Sequence, residues 1–208
     1  YTGKQKPQTS KIIKNILKKN PSEKISYGSW KIINKNRKKY YKDNKNLIYL
    51  NSKHIHSDGL WDNVGLAIKV AIDLGVNTKI IRKTLPKIRF EGRVQFINGK
   101  LTKNLKKTKI LIDGCHSYES TKNLAKYLKK FKLPIYAIWG SLKNKNPDKL
   151  IKNFKGIFQK VFTVKIPNEP SAMSSFNLCK IAKKNGFHTT QSKNIMNTLN
   201  EFSSKENK

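Results

Sequence analysis

The sequence predicts an α/β protein whose second part, from about residue 90, is a doubly wound domain with a mainly parallel sheet. In that part, short apolar strands alternate with amphipathic helices, a pattern typical of parallel βαβ units. Upstream, aromatic and branched residues are separated by Asn, Lys and Asp turn signals, which indicates a small meander of strands. The pattern of strands and helices changes at "PKIRFEGR", so we place a domain boundary at residues 89–90.

In residues 1–89 the apolar spacing predicts three helices. Thr9 or Ser10 is expected to cap the first, Gly75 to end the second and Asn77 to cap the third. Asn63 lies within the second helix, where an amide is costly unless it has a hydrogen-bond partner. The predicted helices are "PQTSKIIKNILKK", "GLWDNVGLAIKVAIDLG" and "NTKIIRKTLPKI", and the predicted strands are "KISYGSW", "WKIINKN", "KKYYKDN" and "NLIYLNSKHI".

In residues 90–208 the pattern predicts five strands and four helices. "TKILID" is expected to be a buried strand because its apolar character is continuous. The inward residues of the following helix are Leu124 and Leu128. The strands are "RVQFING", "TKILID", "LPIYAIWG", "VFTVKI" and "FHTT", and the helices are "STKNLAKYLKKFK", "NPDKLIKNF", "SSFNLCKIAKKNG" and "NIMNTLNEF".

The net charge of +33 suggests a polyanion partner, since clustered cations neutralise phosphates. However, only four of the 45 basic residues are arginine, and the lysines are spread over nearly every predicted helix. Nucleic-acid readers favour arginine for its bidentate geometry. We therefore expect solvated lysine faces and no nucleic-acid partner. A continuous lysine stripe with aromatic residues would favour nucleic-acid binding instead.

Other features bound the class of protein. Cys115 and Cys179 lie far apart without a CxxC pair, which predicts a reducing cytoplasm. The four histidines form no metal-ligand spacing with the cysteines, so we expect His54 and His56 to face solvent and no metal site in this chain. No apolar run approaches the length of a membrane span, so no membrane partner is expected.

Polar residues follow directly on the apolar run of "LIDGCHSYES". Ligands bind at the carboxyl ends of strands in open parallel sheets, so Asp113 could accept bonds from ribose hydroxyls and His116 could donate to a phosphate. Gly114 would permit a close approach or a positive φ. Alternatively, Asp113 caps the helix that starts near Ser117, and His116 lies on the surface. Sequence spacing alone leaves both interpretations open.

Further candidates each have a structural alternative. Lys143 and Lys145 precede a helix start, which suits either an anion site or a solvated loop. Arg93 stands at the domain boundary and is either functional or a surface residue in a salt bridge. Asn63 either serves a ligand or makes a buried bond between helices. The sequence contains no GxxxxGK[ST], GxGxxG, GxSxG or HExxH motif, so a self-contained nucleotide hydrolase is not visible.

Four short motifs, in order, resemble the C-terminal half of folylpolyglutamate synthase/dihydrofolate synthase, a family of the Mur ligase superfamily. Ile112–Ser117 resembles the family's Leu-Asp-Gly-Ala-His-Asn-Pro, and Gly92–Gln95 resembles its Gly-Arg-(Phe/Leu)-Gln. Gly59–Val64 partially matches the family's His-Gln-x-x-Asn-Ala, and Gly140–Asn146 resembles its Gly-x-Leu-x-Asp-Lys-Asp. The chain departs from the family where Ser117 and Tyr118 replace Asn-Pro, where Gly59 and Leu60 replace His-Gln, and where Asn144 and Asn146 replace acidic residues.

The resemblance implies an ATP-dependent ligase that adds L-glutamate to dihydropteroate, to folylpolyglutamate, or to both, through an acyl phosphate. It implies that Asn63 faces the ATP base, Arg93 the phosphates and Asp113 the ribose, with His116 as the catalytic candidate near the phosphate and the incoming amino acid. Residues 1–89 would be the tail of the central ATP-binding domain. Residues 90–208 would be the Rossmann-like C-terminal domain without its last strand.

The same resemblance implies a cytoplasmic enzyme, monomeric when full length, whose P-loop and Mg²⁺ ligands lie outside this chain. We therefore expect a fragment open at both ends that cannot turn over ATP alone. The alternatives are another Mur-type amino-acid ligase with a muramyl peptide substrate, and a basic α/β module that binds nucleic acid. Dihydrofolate synthase and polyglutamate synthase activity are not separable on these residues.

Overall fold

The computed structural model describes residues 1–20, 27–97, 105 and 108–206. The chain divides into two compact units, a first unit, Tyr1–Phe90, and a second unit, Glu91–Lys208. Each has its own hydrophobic core. Among the described residues, no helix combines the length and the apolar character needed to cross a bilayer.

Within its described residues, the first unit contains three α-helices and a three-stranded antiparallel sheet whose strands pair in the order of the sequence. The predicted helices and the antiparallel meander are thus confirmed, but the first of the four predicted strands is wrong. Tyr27–Ser29 of "KISYGSW" form a turn before the first strand begins at Trp30, and its residues 24–26 lie outside the described residues. The first helix begins at Pro7, two residues before the expected cap Thr9, because proline suits a position whose N–H has no helical partner. The elements are α1 (Pro7–Lys19), β1 (Trp30–Lys35), β2 (Lys38–Asp43), β3 (Leu47–Tyr49), α2 (Asp58–Asp73) and α3 (Thr78–Thr84).

Alternation along the strands places one face of this sheet against α2. Trp30, Tyr41 and Ile48 form the buried row, and Trp30 stacks on Tyr41 with ring centroids 6.2 Å apart. Gly65 of α2 permits the close approach, since a Cβ there would lie 2.5 Å from the Trp30 ring. The core therefore depends on a helix face without a side chain at residue 65.

The end of α2 and the start of α3 are set by the glycine and the asparagine that the sequence predicts. Gly75 has φ of +83°, which ends α2, and the Asn77 side chain accepts a hydrogen bond from the Lys79 N–H to cap α3. Of the two interpretations of Asn63, the buried bond between helices is wrong. Its side chain is exposed on α2 rather than held in a buried bond between helices.

The second unit contains a parallel three-stranded sheet, paired in the order of the sequence, with helices between the strands, so the predicted α/β class is confirmed. Leu124 and Leu128 are buried as predicted, in the same core as Phe154 and Val161. The elements are β4 (Gln95–Ile97), β5 (Ile110–Ile112), α4 (Tyr118–Leu128), β6 (Ile135–Trp139), α5 (Pro147–Ile151), β7 (Phe158–Thr163), α6 (Ser175–Lys184), β8 (Thr189–Gln191) and α7 (Ile195–Glu206).

One predicted strand has a different environment. β5 was expected to be buried, but it pairs antiparallel with β4 as a separate two-stranded sheet, and Ile112 is 44% exposed. The two segments are near in sequence and pair directly, with Gln95 opposite Ile112. The turn predicted in "ING" after β4 lies outside the described residues.

The close contact at Gly65 generates a stability prediction. We expect Gly65→Ala to lower the free energy of unfolding by about 1–2 kcal/mol, because overpacking a fixed aromatic core outweighs the helix propensity gained. Asn63→Ala, on the exposed side of the same helix, is the matched control and should be neutral or slightly stabilising. Urea unfolding of both variants measures the difference. A stabilised Gly65→Ala protein would contradict the packing.

Candidate functional site

Two turns of the second unit lie against each other, Gly92–Gln95 and Asp113–His116, and together we call them the two-turn site. The Gly114 N–H donates to the Gly92 carbonyl at 2.7 Å. The Val94 N–H donates to Asp113 Oδ2 at 2.8 Å, and the Gly92 N–H donates to Gln95 Oε1 at 2.8 Å. Two motifs that are about twenty residues apart in sequence therefore form one hydrogen-bonded unit.

Val94 is held in an unusual conformation at the centre of this contact. Its φ is +48°, which a β-branched residue rarely adopts. Holding a residue in this conformation costs on the order of 1–3 kcal/mol. Its side chain is 3% exposed and belongs to the core of the second unit. Core packing and the Asp113 carboxylate therefore hold a turn that the backbone alone would not favour.

The Gly114 carbonyl orients the two cationic candidates. It accepts a hydrogen bond from Arg93 Nη1 at 3.0 Å and lies 2.9 Å from His116 Nδ1. Because a carbonyl can only accept, His116 Nδ1 must bear the proton in that contact, which leaves Nε2 as the acceptor of a neutral ring. One backbone atom thus fixes both side chains.

The start of α4 resolves the role that the sequence left open for Asp113. Ser117 is the N-cap, its Oγ accepts from the Ser120 N–H, and the Ser120 hydroxyl completes a capping box. The interpretation of Asp113 as the helix cap is therefore wrong, because its carboxylate bonds to Val94 instead. His116 is exposed, and its N–H donates to Ser120 Oγ at 3.2 Å.

The two glycines of the site, Gly92 and Gly114, differ in whether the backbone requires glycine. Gly92 has φ of +62°, which favours glycine, whereas Gly114 is not among the residues with positive φ. A Cβ on Gly114 would lie 3.5 Å from the Gly92 carbonyl oxygen, an ordinary contact. The fold thus needs glycine at residue 92 and tolerates a side chain at residue 114.

Cys115 lies partly buried between the site and the core. Burial, and then the charge and hydrogen bonding of Asp113, raise the pKa of its thiol to about 12. Cys115 is therefore a neutral thiol at physiological pH and packs as a small apolar group.

The loop with Lys143 and Lys145 is held by backbone pairing. The Lys143 N–H donates to the Ser171 carbonyl at 2.9 Å, and Leu142 bridges to Ala172. Lys143 is exposed, and the following helix α5 has only five residues, so few peptide dipoles add up at its N-terminus. The solvated-loop interpretation fits this geometry better.

Neither His54 nor His56 belongs to a cluster of three or more possible metal ligands among the described residues. Burial is the main cause that lowers the pKa of both His54 and His56, so both rings are neutral near pH 7. Within the described parts of the chain, no group of three or more His, Cys, Asp or Glu side chains could hold a metal ion. Asn63 belongs to the first unit and the other three candidates to the second.

The donors and acceptors of the two-turn site suit a nucleotide. A carboxylate has about four acceptor positions, so Asp113 retains capacity for ribose hydroxyls beyond the Val94 N–H and the Cys115 thiol. Arg93 presents five N–H donors in a planar fork that matches phosphate oxygens, and one of these donors bonds to the Gly114 carbonyl.

The Val94 conformation and the Gly114 carbonyl were missed by sequence reasoning, and no residue pattern signals either one.

Comparison with solved structures identifies the fold. The chain matches the Mycobacterium tuberculosis folylpolyglutamate synthase complexed with ADP over 97% of its length and 46% of that chain, with a TM-score of 0.80 and 14% identity. It matches the Thermotoga maritima folylpolyglutamate synthase over 95% of this chain and 48% of that one, with a TM-score of 0.71 and 20% identity. E. coli FolC in complex with DHPP and ADP matches over 93% and 44%, with a TM-score of 0.75 and 13% identity.

These similarities define the class of fold. The chain has the fold of part of a folylpolyglutamate synthase and spans about half the length of the structures it matches. No protein-family model matches the sequence, and no curated protein matches it.

The bond between Asp113 and Val94 generates a prediction about stability. Asp113→Ala should lower the free energy of unfolding by about 2–3 kcal/mol, because the strained Val94 loses the acceptor for its N–H. Asp113→Asn retains an acceptor oxygen and should cost roughly 1 kcal/mol. Urea unfolding compares them. Equal losses for both variants would show that the hydrogen bond is unimportant.

The thiol of Cys115 generates a prediction about reactivity. With a pKa raised to about 12, its thiolate fraction at pH 8 is small, so iodoacetamide should react at least about 100-fold more slowly than with a free thiol. A Cys179→Ala protein isolates the reaction at Cys115, and its urea-unfolded form is the internal reference. Native and unfolded rates that agree would exclude the raised pKa.

Proposed function

We propose that this chain is the second half of an ATP-dependent C–N ligase of the folylpolyglutamate/dihydrofolate synthase type. The reaction would add one L-glutamate to dihydropteroate or to a folate. The observation that supports the proposal most is the two-turn site. The motifs by which the sequence resembles that family, around Arg93 and Asp113, are hydrogen-bonded to each other within a fold shared with folylpolyglutamate synthases.

In a ligase of this class ATP phosphorylates the substrate carboxylate, after which the glutamate amine displaces phosphate, forms the amide and loses a proton. We assign the roles of this chain accordingly. Arg93, placed by the Gly114 carbonyl, offers positive charge to the phosphate oxygens as charge develops there. The Asp113 carboxylate accepts from the ribose hydroxyls.

His116 would act on the amine or the phosphate through Nε2. Its Nδ1 is occupied by the Gly114 carbonyl, so Nε2 is the nitrogen that can exchange a proton. The exposure of its ring leaves that nitrogen accessible. His116 is therefore the catalytic residue of the proposal.

Asn63 would contact the base. Its exposed carboxamide has both donors and an acceptor, which suits the edge of a purine. Residues 1–89 would belong to the central ATP-binding domain and residues 90–208 to the C-terminal domain. The P-loop and the Mg²⁺ ligands would come from other parts of a longer, cytoplasmic and monomeric enzyme.

Activity assays test this proposal. The 208-residue chain should release no ADP in a glutamate-dependent manner. The product of the complete reading frame should do so with dihydropteroate or tetrahydrofolate, and Arg93→Gln should lower kcat/KM by about 100-fold or more, the typical loss for one transition-state donor. Lys183→Gln, an exposed lysine of α6, is the control for loss of one charge and should leave the rate unchanged.

The outcomes separate the proposal from its alternative. Glutamate-dependent turnover by the 208-residue chain would contradict the assignment of the P-loop to other residues. Activity of the complete product on a muramyl peptide, and on neither pterin substrate, would assign the chain to another Mur-type ligase.

A further inference from the structure

The three-stranded sheet of the first unit has a second face, directed away from α2. Pairing of β1 with β2 and of β2 with β3 fixes which residues share it. We call it the outer sheet face, and its members are Lys31, Ile33, Lys35, Lys38, Tyr40, Lys42, Leu47 and Tyr49. Half of these eight side chains are lysines, and none is acidic.

The lysines face one another in pairs. Lys31 lies opposite Lys42, and Lys35 lies opposite Lys38. Directly opposed residues have Cβ atoms about 4.5–5.5 Å apart, and like charges there destabilise a sheet. All four side chains are exposed, and within the described residues none of them forms an ion pair. The folded chain thus keeps a repulsive arrangement that a polyanion would relieve.

Two tyrosines lie between these lysine pairs. Tyr40 lies opposite Tyr49, with ring centroids 5.5 Å apart. Tyr49 is 40% exposed, and the Lys38 ammonium lies 5.7 Å from the centre of its ring. Neighbouring Ile33 and Leu47 provide apolar surface beside the rings. The face therefore offers aromatic surface with positive charge on both sides.

We propose that the outer sheet face binds single-stranded nucleic acid without sequence specificity. Bases would stack on Tyr40 and Tyr49 while the four lysines neutralise phosphates, the combination that single-strand binding surfaces use. The scarcity of arginine fits this mode, since lysine meets a phosphate as a point charge and no base edge is read. This inference is independent of the proposed ligase activity.

The localised arrangement alters the expectation drawn from composition. A uniform lysine shell would give no site, and lysines do lie on other elements, including Lys183 and Lys184 of α6. The outer sheet face differs because its lysines have no carboxylate partner among the described residues, lie opposite one another and alternate with aromatic rings. It is a basic surface with aromatic residues of the kind that indicates nucleic-acid binding.

Fluorescence anisotropy of the 208-residue chain with a labelled oligothymidylate or oligouridylate of about 15 nucleotides tests the proposal. The double variant Lys31→Gln/Lys42→Gln should reduce the slope of log affinity against log salt by about 1.4, because each phosphate contact on a single strand contributes about 0.7. The matched control is Lys183→Gln/Lys184→Gln, which removes the same charge from α6 and should change the slope little.

Tyr49→Leu separates stacking from charge. It keeps an apolar side chain and all four lysines, so it should weaken binding about tenfold with an unchanged salt slope. Thermal unfolding of each variant verifies that the exposed substitutions leave the fold intact.

Three results would overturn the proposal. The first is an equal change of slope for the two lysine double variants, which would indicate a uniform basic shell. The second is unchanged affinity of Tyr49→Leu. The third is binding of poly-glutamate or duplex DNA as tightly as the single strand, which would show that charge alone accounts for the binding.

Discussion

The hydrogen bond from the Val94 N–H to the Asp113 carboxylate, 2.8 Å long, is the contact on which the second unit's candidate site depends. Val94 at φ of +48° costs on the order of 1–3 kcal/mol. A hydrogen bond to a charged group contributes about 1.5–3 kcal/mol, and burial of a valine side chain contributes about 1.5–3 kcal/mol. The two favourable terms are large enough to retain the turn. Neither one alone exceeds the strain by a wide margin.

This balance has a consequence for function. The same carboxylate that holds the Val94 turn is the group we assign to the ribose, and the turn it holds presents Arg93. Gly114 then connects Arg93 and His116 through one carbonyl oxygen. The three groups to which we assign ligand contacts are therefore linked by hydrogen bonds. Substitution of Asp113 would disturb phosphate and ribose recognition together, and activity loss alone would not separate binding from positioning.

The sequence predicted those parts of the fold that local chemistry determines. The cap by Asn77, the glycine stop at residue 75 and the inward face of α4 follow from side-chain type and spacing. The α/β class followed from alternation of strands and helices. Resemblance to a known family brought the site residues to attention, and the structure then showed that two of its motifs touch.

The parts that the sequence did not predict depend on tertiary contacts. Nothing local indicates that Val94 has a positive φ, since a β-branched residue there is retained only by packing and by Asp113. Asp113 was a reasonable helix cap until Ser117 and Ser120 proved to form their own capping box. Periodicity indicated that β5 is apolar but not that it pairs with β4, and it gave no reason to expect Asn63 on an exposed helix surface.

The most direct test of the central claim is hydrogen exchange of the Val94 and Gly114 amides, measured by NMR in the unmodified chain. If the two turns are bonded as described, both amides should exchange as slowly as the amides that pair β6 with β7, because their opening requires disruption of the same unit. Exchange of these two amides at the rate of an open loop, while the β6–β7 amides remain protected, would contradict the account.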